Sequence, residues 1–512
     1  MPGPKKSDSL SIAAAALAIT AVALHILVNY MSPYGIHRDE FLYLAMGDHL
    51  QLWRMDFPPF LGVISNISRA WFGQSLAALR LLPAFAGGFL ILFAVDAARR
   101  LGGKAFAQIL TAVSMLASVL YLRAANLLQP VVFDELWWTI GMWCLIRWRQ
   151  SGDKRWWIAL GIVCGIGLFT KFSIVFFGFG VFVGLVATRD RTLLTTRWPW
   201  IAFALTVLIG LPSLVGQIVL GFPVMAQLDS LRSHQLVRIS SLNFVSGQAF
   251  MLGLGVFVAV IGIVALIASK RFSNFRILGW TFIGSFAILI LLQGKAYYLG
   301  PVYPVLIGAG AVIIENMVTG HASGVFRKAV IALIVLGGLA TLPLGLPILP
   351  PPTMERYDHL LGTTSAVKSN EGVVLRLPQD YADMLGWEER VAELARIYKN
   401  LSPEERADAI IIAGNYGEAG AVDYYGPRHG LPHALCVSGS YWFFGPGDKP
   451  GKIAITIGCD EASLKRNWRS VTKISRLKDE WTVPEEQDLV FYLCGSQIRS
   501  VQTIWPSFAG RN

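Results

Sequence analysis

The chain has 512 residues, 54% hydrophobic and 15% charged, with a formal net charge of +11 and a mean hydropathy of +0.52. That balance is too apolar for a soluble protein of this length and indicates a polytopic membrane protein. The positive charge does not argue for nucleic acid, because Lys and Arg stand in short clusters between apolar runs, where they set topology.

The first apolar run, Leu10 to Tyr30, follows Lys5 and Lys6 and lacks a clear small-residue cleavage site, so it reads as an uncleaved anchor. Later runs long enough to span the hydrocarbon core lie at about 76–98, 104–122, 131–148, 155–170, 172–188, 198–220, 246–268, 277–293, 298–317 and 328–348. Basic clusters occur at every second connection: Lys5/Lys6, Arg99/Arg100/Lys104, Arg147/Arg149/Lys154/Arg155, Arg189/Arg191/Arg197, Lys270/Arg271/Arg276 and Arg327/Lys328. All face the cytoplasm together only if the N-terminus is inside, and about eleven spans then put everything after Pro350 outside. The expected architecture is an all-α polytopic membrane domain over 1–349, followed by a small soluble α/β domain over 350–512 on the outer side.

The outer connections carry the unusual sequence. Residues 31–75 contain His37-Arg38-Asp39-Glu40 and Asp56-Phe57-Pro58-Pro59, with amphipathic stretches at 41–53 and 60–72 that read as interfacial helices. Phe133-Asp134-Glu135 opens a later span, and ionisable residues placed there are costly and therefore functional candidates. Lys171 sits in a tight turn, Arg232 in the connection 221–245, and Lys295, Tyr297 and Tyr298 in a proline-ended turn. Acids, lysines and tyrosines thus fall on one face.

Pro350-Pro351-Pro352 reads as a stiff linker. Beyond it, Val373–Leu377, Ala409–Ala413, His433–Val437, Ile453–Ile457 and Leu489–Leu493 read as strands, Tyr381–Leu401 and Glu461–Trp468 as helices, and Ser402-Pro403-Glu404-Glu405 as the start of another turn. The run Gly414-Asn415-Tyr416-Gly417-Glu418-Ala419-Gly420 suggests an anion-binding nest, although it is neither a Walker A loop nor a dinucleotide fingerprint. Cys436, Cys459 and Cys494 would permit one disulfide and leave one thiol over.

Taken together and in order, His37-Arg38-Asp39-Glu40, Asp56-Phe57-Pro58-Pro59, Phe133-Asp134-Glu135-Leu136-Trp137-Trp138, Gly167-Leu168-Phe169-Thr170-Lys171-Phe172 and Lys295-Ala296-Tyr297-Tyr298 through Pro301 and Pro304 resemble one superfamily. It is the GT-C type of polyprenyl-phosphate-sugar-dependent glycosyltransferases. Within it the chain resembles the bacterial branch that includes protein O-mannosyltransferase-like and lipid A aminoarabinose and galacturonic acid transferases. The resemblance covers roughly residues 10–350. It implies an inner-membrane enzyme that moves a sugar from polyprenyl phosphate to an acceptor hydroxyl on the outer face, with inversion. The acceptor would be a glycolipid, another glycan or a protein, with membrane lipids as surroundings and no nucleic acid as partner.

The resemblance also implies roles. Asp39 matches the acid that takes the acceptor proton, and Glu40 would orient acceptor or sugar. The leaving phosphate needs cations and hydrogen-bond donors, for which Lys171, Arg232, Lys295, Tyr297 and Tyr298 are candidates. Asp134 and Glu135 are further substrate-binding candidates. Asp56 matches an acid that in some members helps bind a divalent metal, but Phe57 stands where those members carry a lysine.

Each assignment has a plainer alternative. Asp39 and Glu40 suit an ordinary loop acid pair beside Arg38, and Asp134 and Glu135 suit a helix cap near Pro130. Lys171 suits a snorkelling lysine, and the tyrosines suit an aromatic belt. A flippase for a lipid-linked saccharide is the rival function, but no internal repeat is evident and the charges cluster at one surface instead of the midplane.

Overall fold

The computed structural model describes residues 10–317, 322–363, 369 and 372–508; the Lys5/Lys6 cluster lies outside them. The chain divides into two compact units, one comprising Met1–Met31, Phe72–Leu214 and Leu236–Ile348, the other Ser32–Trp71, Val215–Gln235 and Leu349–Asn512. The second unit therefore joins two segments from the first half of the sequence to the C-terminal segment.

The first unit is helical. Among the described residues five helices are long and apolar enough to cross a membrane, Ile12–Met31, Leu81–Arg100, Lys270–Leu291, Ala296–Met317 and Ser323–Gly345. The number rises to eight if each of three bent helix pairs is one span, and Ala105–Leu116, Trp156–Thr170 and Ile174–Ala187 are shorter apolar helices. Several runs that read as single spans are broken, so this measure falls short of eleven. Gly253, at φ +54, separates Ser241–Leu252 from Gly255–Ala268, which meet at 113°. The run at 131–148 is one helix, Pro130–Ser151, but it carries Asp134, Glu135, Arg147 and Arg149.

Small residues let these helices approach. A Cβ on Gly262 would lie 1.9 Å from the Leu306 carbonyl oxygen, and one on Gly310 would lie 1.8 Å from that of Val258. The helices Gly255–Ala268 and Tyr303–Met317 therefore touch backbone to backbone, a contact that any side chain would prise apart.

The basic connections of this unit bind one another. Gln150 donates to the Arg100 carbonyl at 2.6 Å, Arg149 pairs with Asp190 at 2.8 Å and donates to the Asn274 carbonyl at 2.6 Å. Arg271 reaches the Gly102 carbonyl at 3.4 Å, while the Glu315 carboxylate accepts from the Lys104 amide at 2.7 Å. Clusters separated by whole spans in sequence thus share one end of the unit, as one-sided exposure requires.

In the second unit Arg38–Asp48 and Phe60–Phe72 are helices, matching the two amphipathic stretches. Pro350 does not begin an extended linker. It precedes the helix Pro351–Leu361, since proline at a first helical position is preorganised and loses no hydrogen bond. Among the described residues of the C-terminal segment, β1 (Ala409–Ala413), β2 (Ala434–Leu435), β3 (Ile453–Ile457), β4 (Trp468–Lys478) and β5 (Asp488–Gln497) form one sheet in the order β2-β1-β3-β5-β4. β1 runs parallel to β2 and β3, whereas β5 is antiparallel to β3 and β4. Ile410, Ala454, Tyr492 and Cys494 pack one face of the sheet against Leu464, Val501 and Trp505.

Four expectations here need correction. Val373–Leu377 is irregular, with Val373 and Val374 exposed. The run Tyr381–Leu401 splits into Gln379–Ala382 and Trp387–Lys399, because Gly386 takes a left-handed φ of +77. The helix at 461 stops at Lys465, and Trp468 instead starts β4, an edge strand whose Arg469, Lys473, Arg476 and Lys478 hide it from a search for apolar alternation. Cys436, Cys459 and Cys494 are free thiols, so the disulfide that their location permits is not formed.

Candidate active site

In the second unit the first acidic motif opens a helix. His37 is the N-cap of Arg38–Asp48; its Nδ1 accepts from the Asp39 amide at 3.0 Å, and its own amide donates to Glu40 Oε2 at 2.7 Å. Glu40 is 1% exposed and closes this reciprocal cap, which fixes the entry of the helix. Asp39 stays half-buried, and its Oδ1 accepts from the Tyr416 hydroxyl at 2.8 Å.

Arg38 reaches acids from distant segments of the chain. Its guanidinium pairs with Glu485 at 2.6 Å, lies 3.9 Å from Asp383, and rides over the Tyr416 ring 5.1 Å from its centroid. Burial pushes the Asp383 carboxyl up to about 6 against the pull of His37 and Arg38. Burial, followed by the Asp39 charge, holds the Tyr416 phenol well above its usual range. Tyr416 therefore remains a hydrogen-bond donor to Asp39 at neutral pH.

The glycine-rich run explains this delivery. It is the start of the helix Tyr416–Tyr425, capped by Asn415, whose Oδ1 accepts from the Gly417 and Glu418 amides at 2.9 and 3.1 Å. The nest exists, but the chain fills it: Glu418 Oε2 accepts from the Gly414 and Asn415 amides at 2.7 and 3.3 Å. A Cβ on Gly417 would lie 2.6 Å from Arg38 Cγ, and one on Gly420 would lie 2.4 Å from Phe41 Cβ. These two glycines let the acidic helix lie directly on Tyr416–Tyr425, which brings residue 416 to residue 39.

Asp56 lies in the same unit. Its Oδ2 accepts from Ser440 at 2.8 Å, its carbonyl accepts from Gln217 at 2.5 Å, and burial raises its carboxyl to about 6. Among the described residues no group of three His, Cys, Asp or Glu side chains has the arrangement to hold a metal ion. Asp56, satisfied by a serine hydroxyl, is not part of such a donor set, so the described residues do not fit a divalent metal at this position. Arg232 is exposed on the helix Pro223–His234 and joins none of these groups.

The first unit assembles the other candidates. Asp134 is 1% exposed, accepting from Ser173 at 2.6 Å and from Trp138 Nε1 at 2.9 Å. Lys171 Nζ lies 3.9 Å from Asp134 Oδ2 and 5.1 and 4.9 Å from the ring centroids of Tyr297 and Tyr298. The lysine thus has a protein anion on one side and two electron-rich faces near it, a setting that holds a cation in place. The helix-cap alternative for Asp134 is not realised, because the first turn contains no acid and Gln129 makes no side-chain cap.

Glu135 is fully buried, and among the described residues no hydrogen-bond donor reaches either of its oxygens. A Cβ on Gly300 would lie 3.3 Å from Glu135 Oε1, and Tyr121 donates to the Gly300 carbonyl at 3.0 Å. Lys295 is the N-cap of the turn Ala296–Val302 that carries both tyrosines. Sequence reading did not find Tyr416, Asp383, Ser173 or Ser440. The first of these was signalled by the glycine spacing, while the serines carry no local mark.

The comparisons with known proteins bear on one segment of the sequence and on the fold. Residues 56–215 match a family described as dolichyl-phosphate-mannose-protein mannosyltransferase. That segment carries Asp56, Asp134, Glu135 and Lys171, and over it the chain is similar to this family. The fold of the whole resembles that of ArnT from Cupriavidus metallidurans in the apo state, with a TM-score of 0.59 at 16% identity over 93% of this chain and 97% of that one. The same protein bound to undecaprenyl phosphate gives 0.57 at 14% over the same shares. The apo oligosaccharyltransferase of Archaeoglobus fulgidus gives 0.50 at 13%, over 87% of this chain and 69% of that chain. No curated protein matches the sequence. The chain thus has the fold of a multi-pass membrane protein with a mixed α/β C-terminal segment.

Proposed function

We propose that this protein is a glycosyltransferase that moves a sugar from a polyprenyl-phosphate donor to an acceptor hydroxyl, by a single displacement that inverts the anomeric centre. The observation that carries this reading is Asp39, a half-buried carboxylate held by the Tyr416 hydroxyl at 2.8 Å. Asp39 takes the proton as the acceptor oxygen bonds to the anomeric carbon. The bond from that carbon to the phosphate oxygen breaks, and its electron pair leaves with the lipid phosphate. Glu40 acts as a positioning residue by capping the helix that carries Asp39. Lys171, set beside Tyr297 and Tyr298, holds the phosphate and its developing charge, with Lys295 as a second cation. That a solved relative in fold is recorded with undecaprenyl phosphate supports the lipid carrier.

The basic clusters support about eleven spans with the N-terminus inside and residues 350–512 outside, in a bacterial inner membrane. The acceptor class is a glycolipid, another envelope glycan or a protein. Purified protein in detergent, given a polyprenyl-phosphate sugar and these acceptors, should yield glycosylated acceptor and free lipid phosphate in equal amounts. Turnover without a membrane barrier excludes pure transport. Equal transfer from a nucleotide sugar with no lipid carrier present would overturn the donor assignment.

A further inference from the structure

Next to Asp56 the second unit contains a cavity of about 480 Å³, lined among others by His49, Arg54, Asp56, Trp442, Phe444 and Trp505. That volume lies within the roughly 300–1,000 Å³ typical of small-molecule sites. We propose that it is a saccharide subsite, taking one pyranoside ring of the donor or of the acceptor; this rests on the transferase reading above.

The aromatic wall is built rigidly. Trp442 Nε1 donates to the Trp505 carbonyl at 3.2 Å, and Trp505 Nε1 donates to the Trp442 carbonyl at 3.0 Å. Each indole N–H is thereby consumed inside the wall. His49 stacks on Phe444, with centroids 4.2 Å apart and rings within 13° of parallel. Burial lowers the His49 imidazole from its usual value, so this stack is neutral at neutral pH.

The polar groups define the occupant. Asp56 is buried at the wall and held by Ser440 at 2.8 Å, and Arg54 is exposed at the rim. A hydrocarbon chain would strip water from both without replacing it. A bare phosphate would meet the Asp56 carboxyl and the negative faces of the rings. A pyranoside suits all three features. Its C–H face carries weak positive charge towards the rings, while hydroxyls at its edge donate to Asp56 and accept from Arg54.

Saturation-transfer NMR on the full chain in detergent, with methyl glucoside, methyl N-acetylglucosaminide and methyl galacturonide as probes, tests the assignment. At least one probe should bind, with the strongest transfer to its ring C–H protons. Phe444→Ala and Asp56→Asn should weaken that binding about tenfold, and Lys171→Met should leave it intact. Should Phe444→Ala fail to fold, Arg54→Ala, an exposed change, takes its place and should weaken binding severalfold. In turnover assays the cavity variants should raise KM for the acceptor if its ring is the occupant, or for the donor if the donor's is. No binding by any probe, or undiminished binding in the folded cavity variants, overturns the subsite even if transfer proceeds. Pyranoside binding lost in these variants, in a protein that transfers no sugar, keeps the subsite and overturns the transferase reading instead.

Discussion

The motifs His37-Arg38-Asp39-Glu40 and Phe133-Asp134-Glu135 both place two carboxylates in succession, yet the fold treats the pairs differently. In the first, Glu40 is buried as a helix cap while Asp39 stays half-buried with a neutral hydroxyl as its partner. In the second both acids are buried, and Asp134 is matched by Lys171, Ser173 and Trp138. A carboxylate that must accept a substrate proton needs access and a partner that fixes its orientation. One surrounded by a cation and two donors is better suited to fixing that cation's position. On this comparison we propose that the first pair supplies the base, and the second the setting for a cation.

The largest effect should come from Asp39→Asn, which keeps the volume and removes the proton acceptor. A positioned base contributes about 10²–10⁴-fold, so kcat should fall by that range while lipid-donor binding and expression persist. A folded Asp39→Asn protein with near wild-type turnover would transfer the base role to Asp134 or Glu135 and reverse the comparison.

Lys171→Met should weaken donor binding and turnover together. A hydrogen bond to a charged group is worth about 1.5–3 kcal/mol, or roughly 10–100-fold. It also leaves Asp134 buried without its cation, so stability should drop as well. The double change Lys171→Met with Asp134→Asn should recover the melting temperature but not the affinity. Recovery of both would make the pair purely structural.

Asp56→Asn should alter the response of stability to pH. Burial raises the folded carboxyl to about 6, whereas an unfolded aspartate titrates near about 3.9. Between these values the folded protein retains a proton that the unfolded chain has lost. Stability from this group therefore falls as pH rises from about 4 to 6 and is level above that. The full shift corresponds to roughly 3 kcal/mol at most. Melting temperatures at pH 4.5 and 7 should differ less in the variant than in the wild type by a matching amount. Identical differences would show that Asp56 titrates as an exposed acid.

Tyr416→Phe should have the smallest effect. It removes one hydroxyl worth about 1 kcal/mol net, which predicts a roughly fivefold lower kcat with unchanged KM for donor and acceptor. An unchanged kcat would show that the hydroxyl merely fills space beside Asp39.

Much of this was legible in the chain itself. Apolar runs of span length, basic clusters at alternate connections and the order of the acidic and lysine motifs depend on local composition, so no partner residue had to be known. Helix Phe60–Phe72 and strands β1 and β3 appear where the local pattern put them. β4 does not, because an edge strand of charged residues satisfies its backbone without an apolar signature.

What tertiary structure alone decided is pairing. Asp39 and Glu40 are neighbours in sequence, yet one caps its own helix and the other meets a tyrosine 377 positions away. Nothing local distinguishes them, because burial and hydrogen bonding are set by what another segment brings. The glycine-rich run shows the same limit. Its spacing announced a backbone that must be approached closely, but only the folded chain shows that Glu418 fills its amides and that the acidic helix occupies its surface. Composition and periodicity specify which residues face water or lipid. Which carboxylate keeps a free energy of proton uptake useful for chemistry depends on donors and charges within a few ångströms, and those come from elsewhere in the chain.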